Sequence, residues 1–463
     1  MILGDIFQRF VQDSPLTVMT QVLLENALPP AAVDQLFDDY ADAQYTRKLL
    51  FSDIVSLMSL VVCSIRPSIN SAFKKLEPTL GVTRKAVYEK INHVETTTSA
   101  ALVRHTGTVL TPVIDELGAR VTPLLDGYRT RILDGNHLAG TEHRLKELRT
   151  TGSAPLPGQS LVVLDPELRL VVDVMPCEDG HAQERSLTNE ILALVQPGDL
   201  WIADRNFCTT QLLYGIANRD AFFIIRQHAR NLHWELIGER RDCGRVETGR
   251  VFEQTMQTTN DAGEILLLRR VTVVLDKPTR DGDTEIHVLT NLPSEHADAL
   301  MIADLYHKRW TIETAFQELE KTLQSEINTL GYPKAALFAF CVALVAYNIM
   351  STVKAALRSV HGAATVDTEF STHDLAEEVA ATHRGMMIAI PEDEWVVFQQ
   401  MSPRELSPLL KQFAAAVRLS EYRKQPRGPK KPQPKRTSGA KARHVSTAKL
   451  LMRRKTKVAK NRN

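Results

Sequence analysis

Two acidic residues stand at the ends of apolar runs, where a carboxylate has little to do for packing. Asp134 closes "RIL" and precedes "GNH"; Asp204 closes "LWIA" and precedes "RNFC". A carboxylate just past an apolar strand sits at the lip of a sheet, where α/β folds bind ligands. Two of them on adjacent strands suit a shared Mg²⁺, which takes few carboxylates and keeps water and phosphate oxygens as its other ligands. A third carboxylate from a nearby helix, Glu313, completes a two-metal site for in-line attack on a phosphodiester. The plainer alternative for either Asp alone is a structural one, capping the helix that follows. Asp165, Asp173 and Asp199 are rival acids. Asp165 precedes a turn proline and Asp199 lies in a Pro-Gly-Asp turn, and all three are set aside.

Glu313 belongs to "LYHKRWTIETAFQELEK", residues 305–321, which reads as one helix. Intervals of three and four residues put Tyr306, Arg309 and Glu313 on one face, beside an apolar stripe of Ile312, Phe316, Leu319 and Leu323. Taken alone, Arg309 and Glu313 read as a surface i,i+4 pair worth roughly 0.2–0.5 kcal/mol. Beside Asp134 and Asp204, they read differently. Arg309 can hold a phosphate oxygen bidentately and Tyr306 can donate a single hydrogen bond. Such contacts fix a strand end in line with its attacking group. Trp310 reads as core, Trp234 as a second candidate for base stacking, and His137 as a structural hydrogen-bonding residue near Asp134.

These residues need a sheet and a helix to position them. From about 127 the order is strand, hairpin, helix, strand ("LWIADRNFC"), helix and strand ("AFFIIRQ"). That is a mixed α/β layered domain with its first and fourth strands adjacent at the centre. Residues 228–293 then read as strands between Gly- and Asp-rich turns, an all-β insertion ahead of the Glu313 helix. Residues 1 to about 115 are helical throughout. Within them "GVTRKAVYEKINHVE" resembles the second half of a helix-turn-helix. Gly81 makes the turn, Thr83 the cap, and Arg84, Lys85 and Lys90 an exposed face. The stretch 335–353, "AALFAFCVALVAYNIMSTV", is almost long enough to span a bilayer. With Asn348, Ser351 and Thr352 inside it, it reads as a buried core helix.

Charge is segregated. Residues 423–463 hold 16 Lys and Arg and no acid, leaving 40 basic against 55 acidic residues in 1–422. A Pro-, Lys- and Arg-rich tail buries too little apolar area to fold alone and suits nucleic acid. The five scattered cysteines without CxxC spacing point to a reducing compartment and away from a structural zinc site.

Together "LDGNH", "IADRNFC" and the Tyr306, Arg309, Glu313 spacing resemble the DDE transposases of the insertion-sequence-four family. The signature of that family is Tyr-x2-Arg-x3-Glu-x6-Lys. The resemblance covers roughly 125–355 and implies an RNase H-like catalytic domain interrupted by a β-rich insertion. It implies that Asp134, Asp204 and Glu313 hold two Mg²⁺ ions, for which Mn²⁺ can substitute, and that Tyr306 and Arg309 contact DNA phosphates. The signature Lys falls at Glu320 in this chain. Lys321 lies one residue further, about 100° around the helix, and its long side chain is taken as the third DNA contact. The implied activity is cut-and-paste transposition through a hairpin intermediate, acting on terminal inverted repeats and target DNA. The implied assembly is a synaptic homodimer, away from any membrane, in the bacterial cytoplasm with the nucleoid. A nuclease of the same fold, or a non-catalytic DNA-binding derivative, are the alternatives.

The expected organisation is therefore a helical DNA-binding head (1–118), a catalytic domain in two parts (119–227 and 296–355) around a β-rich insertion (228–295), a helical C-terminal region (356–422) and a disordered basic tail (423–463).

Overall fold

The computed structural model describes residues 4–44, 48–138, 145, 148, 155–228, 232–279, 282–425 and 445–460. Nine strands build one mixed sheet: β1 (Arg129–Leu138), β2 (Gly158–Asp165), β3 (Leu170–Cys177), β4 (Asp199–Ala203), β5 (Phe222–Arg226), β6 (His233–Val246), β7 (Gly249–Thr259), β8 (Ile265–Leu275) and β9 (Glu285–Thr290). Their order across the sheet is β3-β2-β1-β4-β5-β9-β8-β7-β6. β1, β4 and β5 run parallel, with β1 and β4 adjacent. β2 is antiparallel to both of its neighbours.

β2 and β4 are buried along their whole length, the pattern of a sheet covered on both faces. Side chains alternate across the sheet. Ile132, Ile202 and Ile224 face one hydrophobic cluster; Leu133, Trp201, Ala203 and Phe223 face the other. The first cluster is filled by long helices from both ends of the chain. The second is filled by Ile191 and Leu192 of the helix Thr188–Leu194 and by Leu212, Leu213 and Ile216 of the helix Thr210–Ala217.

The strands of the 228–293 stretch extend the sheet itself. β9 pairs antiparallel with β5 through Leu289↔Ile225, so β6–β9 continue the same sheet. The physical reason is that β5 would otherwise present a row of unpaired backbone groups.

Seven helices matter below: α1 (Pro15–Ala27), α2 (Thr96–Leu117), α3 (Ala299–Lys308), α4 (Trp310–Thr322), α5 (Pro333–His361), α6 (Thr372–Ala389) and α7 (Pro403–Ala416). α1 packs on α6 and α7, and α2 packs on β3, α5 and α7. The backbone N–H and the hydroxyl of Thr17 on α1 both donate to Glu378 on α6. In the helix-turn-helix-like stretch, Gly81 has a left-handed φ of +58° and the Thr83 hydroxyl caps Arg84–His93. Arg84 and Lys85 are exposed. Lys90 is not: it is half-buried, its Nζ 4.0 Å from the Phe37 ring centroid, so packing removes it from the exposed face.

The basic tail also departs from expectation. Residues 426–444 and 461–463 lie outside the described residues, but Val445–Ser446 pairs parallel with Pro155–Leu156 and Thr447–Lys460 is helical. Lys449 Nζ lies 2.8 Å from Asp179 Oδ2, which gives this part of the tail an acidic partner on the body.

α5 contains the apolar stretch 335–353, and its most apolar window is wholly buried inside the protein. Asn348 explains why a polar residue stands there. Its Oδ1 accepts from Val171 N at 2.8 Å, and its Nδ2 donates to Val171 O at 2.8 Å and to Thr106 Oγ1 at 3.2 Å. One side chain thus mimics a neighbouring strand along the edge of β3 and ties β3 to α5 and α2. Stranding a buried backbone group costs roughly 1–3 kcal/mol, and Asn348→Leu strands two. Urea unfolding of Asn348→Leu should show a loss of about 3 kcal/mol. A loss below about 0.5 kcal/mol would mean that the edge of β3 finds other partners.

Candidate active site

Asp134 and Asp204 meet through strand register. The parallel ladder between β1 and β4 ends at Leu133↔Ala203, and each Asp is the next residue along. By the two-residue period, Asp134 follows Ile132 and Asp204 follows Ile202, so both lie on the same face. That is the face on which Ile312 and Leu319 of α4 pack. β1 continues past Asp134 over the whole of "RTRILDGNHL". It runs on to Leu138 paired with β2 alone, so Asp134 sits within β1, at the point where β4 leaves it. Asp204 does cap the turn after it, its Oδ1 accepting from Asn206 N at 2.7 Å. The structural role weighed against it is real and occupies one of its oxygens.

The 305–321 stretch is two helices, α3 and α4, joined at Arg309. The joint is a tight turn of i→i+3 bonds, Arg309 N to Tyr306 O at 3.1 Å and Ile312 N to Arg309 O at 3.2 Å. It places Arg309 at the start of α4 with its guanidinium turned inward and only 9% of the residue exposed. Nη1 lies 3.0 Å from Asp134 Oδ2 and Nη2 lies 2.6 Å from Glu313 Oε1. The pair that looked like a surface i,i+4 contact is therefore a bridge that ties a helix carboxylate to a strand carboxylate. Arg309 Nε is buried without a hydrogen-bond partner.

The electrostatics follow from that crowding. Burial pushes the Asp134 carboxyl up to about 6; Arg309 opposes the rise, and Asp204 and Glu313 add to it. Burial likewise raises the Tyr306 phenol, with Arg309 and Arg226 pulling the other way. Tyr306 therefore keeps its proton near neutral pH and is a hydrogen-bond donor beside Arg309.

Five of the six expected site residues converge: Asp134, Asp204, Glu313, Tyr306 and Arg309. Lys321 does not join them. It is exposed in the last turn of α4 and makes none of the ion pairs found among the described residues. Trp310 is 54% exposed with its ring against His307, not core, because a step of two residues turns it away from the buried Ile312. Trp234 is 39% exposed with the Arg270 guanidinium 5.5 Å from its ring. The rival acids are held elsewhere, Asp165 by Arg131, Asp173 by Arg104 and Asp199 by Arg129. Beside the site lies a polar groove of about 310 Å³ lined in part by His137, Glu184, Asn206 and His228. Glu184 and Asn206 were not legible as site residues in the sequence, although Gly135, a glycine inside a strand, is a sign of close approach by another group.

Three carboxylates are a hard, all-oxygen donor set of the kind that suits Mg²⁺ or Mn²⁺. Among the described residues, the only group of three acidic, His or Cys side chains with ligand atoms all within 4.8 Å is His373, Asp374 and Glu377, at the start of α6. The Asp134, Asp204 and Glu313 set is wider than that, with Arg309 supplying positive charge between two of its members.

Comparison with known proteins bears on this segment. Residues 126–349 match the family model described as the transposase DDE domain. The transposase of insertion sequence IS421 from Escherichia coli is 25% identical over 280 residues, covering 52% of this chain and 70% of that protein. InsL, named as a transposase of insertion sequence element IS186A in E. coli K12, matches to the same extent. Among solved structures, the synaptic complex of piggyBac transposase with hairpin DNA aligns over 87% of this chain and 84% of that one. At 10% identity and a TM-score of 0.38, that likeness is too loose to carry an argument. All five converging side chains fall inside the DDE-domain match.

Removing one partner of a buried charged contact costs roughly 1–3 kcal/mol, whereas changes that remove both ends of one contact are not additive. Arg309→Gln should therefore destabilise the metal-free protein by about that amount, and Asp134→Asn in the same chain should recover most of the loss. Denaturant unfolding of the two single variants and the double variant measures this; fully additive losses would mean that the two side chains do not depend on each other.

Proposed function

We propose that this chain is the transposase of a bacterial insertion sequence. It binds the terminal inverted repeats of its element, cleaves a phosphodiester at each end and joins the freed 3′-hydroxyl to target DNA. The observation that carries this reading is the convergence of Asp134 and Asp204, one step past a shared parallel register, with Glu313 tied to Asp134 through Arg309. The strand order β3-β2-β1-β4-β5 with β2 antiparallel supports an RNase H-like catalytic domain. The DDE-domain match and the insertion-sequence relatives support the reaction class.

Asp134, Asp204 and Glu313 are the residues that would hold Mg²⁺ or Mn²⁺. When bound, such ions supply a Lewis acid and an activated water or hydroxyl for in-line displacement. The chain's own side chains do the positioning. Tyr306 donates to a phosphate oxygen, and Arg309, with its two-pronged donor set, takes a phosphate in place of a carboxylate. Holding the strand end rigid in this way supplies much of phosphoryl-transfer catalysis. The active form is a homodimer that brings two element ends together, in the cytoplasm at the nucleoid. Lys321 lies outside the converged cluster and contacts DNA further along the duplex.

The test is a Mg²⁺-dependent cleavage assay on duplex DNA carrying one element end. Asp134→Asn, Asp204→Asn and Glu313→Gln should each abolish strand cleavage and leave end binding largely intact. Nicking that survives in any one variant removes that residue from the catalytic set. Strand transfer of a pre-cleaved end separates a transposase from a nuclease that only cuts.

Charge on the C-terminal helix Thr447–Lys460 gives a second test. Each neutralised phosphate contributes a salt slope of about 0.9. Changing the exposed Arg453 and Arg454 to Gln should weaken binding and flatten the log affinity versus log salt plot by up to about 2. An unchanged slope would place this helix off the DNA.

A further inference from the structure

Past Leu133↔Ala203 no backbone hydrogen bond joins β1 to β4, yet a site built on Asp134 and Asp204 needs their separation fixed. One side chain spans the gap. Glu184 begins the turn Glu184–Leu187 that leads from β3 toward β4. Its Oε2 accepts from Asn206 Nδ2 at 3.0 Å. The backbone N–H of the same Asn206 donates to Asp204 Oδ1 at 2.7 Å. The other oxygen of Glu184 rests on Gly135, so closely that a Cβ built there would lie 2.0 Å from Oε1. The backbone N–H of Gly135 donates in turn to Asp134 Oδ1 at 3.0 Å.

One carboxylate thus touches the residue after Asp134 and the side chain of the second residue after Asp204. We infer that Glu184 is a positioning residue for the reaction proposed above, a strut that sets how far apart the two aspartates stand. The inference rests on the assignment of Asp134 and Asp204 to the site and adds a residue that the three-carboxylate set does not contain. It also accounts for the glycine. Gly135 has no left-handed φ to require it; its missing side chain is what lets Glu184 seat. An Ala there would meet only the far end of a flexible side chain, so the fold can stand while Glu184 is pushed aside.

The experiment is Mn²⁺ binding to the full chain by calorimetry, with thermal melts alongside to confirm folding. Outer partners of metal ligands are worth about 10–100-fold in metal affinity. Glu184→Ala and Gly135→Ala should each weaken Mn²⁺ binding by about tenfold or more, and the double variant should be no worse than either single one, because both break one contact. Glu184→Gln keeps an acceptor for Asn206 and should stay within about twofold of the parent. This rescue is the readout that a general loss of packing would not give.

Wild-type affinity in Glu184→Ala, or a Gln variant as weak as the Ala variant, overturns the strut, the second because charge would then be what matters. The failure of the underlying reading looks different. If Asp134→Asn and Asp204→Asn bind Mn²⁺ like the parent, the site assignment falls and Glu184 falls with it. If those two lose binding while Glu184→Ala and Gly135→Ala do not, only the role of Glu184 is lost.

Discussion

The parallel register between β1 and β4 is the constraint on which the site depends. Because Ile132 stands opposite Ile202, and Leu133 opposite Ala203, the next residue of each strand is an aspartate on the same face. A shift of one residue on either strand would send one carboxylate to the opposite face, into the cluster of Leu133, Trp201 and Phe223. Register is held by that burial. Both strands carry large apolar side chains alternately into two cores, and neither core tolerates the exchange. The chemistry is therefore secured by packing on both sides of the sheet rather than by any contact between the two acids.

Charge is managed by a second layer of control. Crowding three carboxylates at one lip of a sheet is unfavourable without a cation, and burial of Asp134 makes it more so. Arg309 offsets this with two directed contacts, which the break between α3 and α4 makes possible. In an uninterrupted helix the tight i→i+3 joint around Arg309 would be absent. The interruption costs some helix regularity and brings a guanidinium into the place where it holds Glu313 against Asp134.

Much of this was legible in the residues themselves. The apolar runs "RIL" and "LWIA", each ended by an acid, marked both strands and their adjacency, and the three- and four-residue spacing of Tyr306, Arg309 and Glu313 marked a shared face. The parts that stayed hidden have physical causes. Asp134, expected at the end of its apolar run, stands inside the strand because the ladder to β2 carries β1 on to Leu138. The break at Arg309 leaves no local trace, since no Gly or Pro stands in 305–321 to mark it. Lys90 was taken as exposed because helical periodicity cannot see Phe37 arriving from another helix. Alternation marked the inserted strands as β but does not report which edge they join.

The shared core of the two chain ends has a consequence for how the molecule is made. α1 buries its apolar face against α6 and α7, which leave the ribosome long after it does. Thr17 finds its buried partner only when Glu378 exists. A growing chain that has not reached residue 372 holds a head with an open hydrophobic side, so its helices stay incompletely packed until α6 is made. The helical head thus shares its core with α6 and α7. A product that stops before α6 carries the helix-turn-helix-like stretch on a body that lacks part of its core.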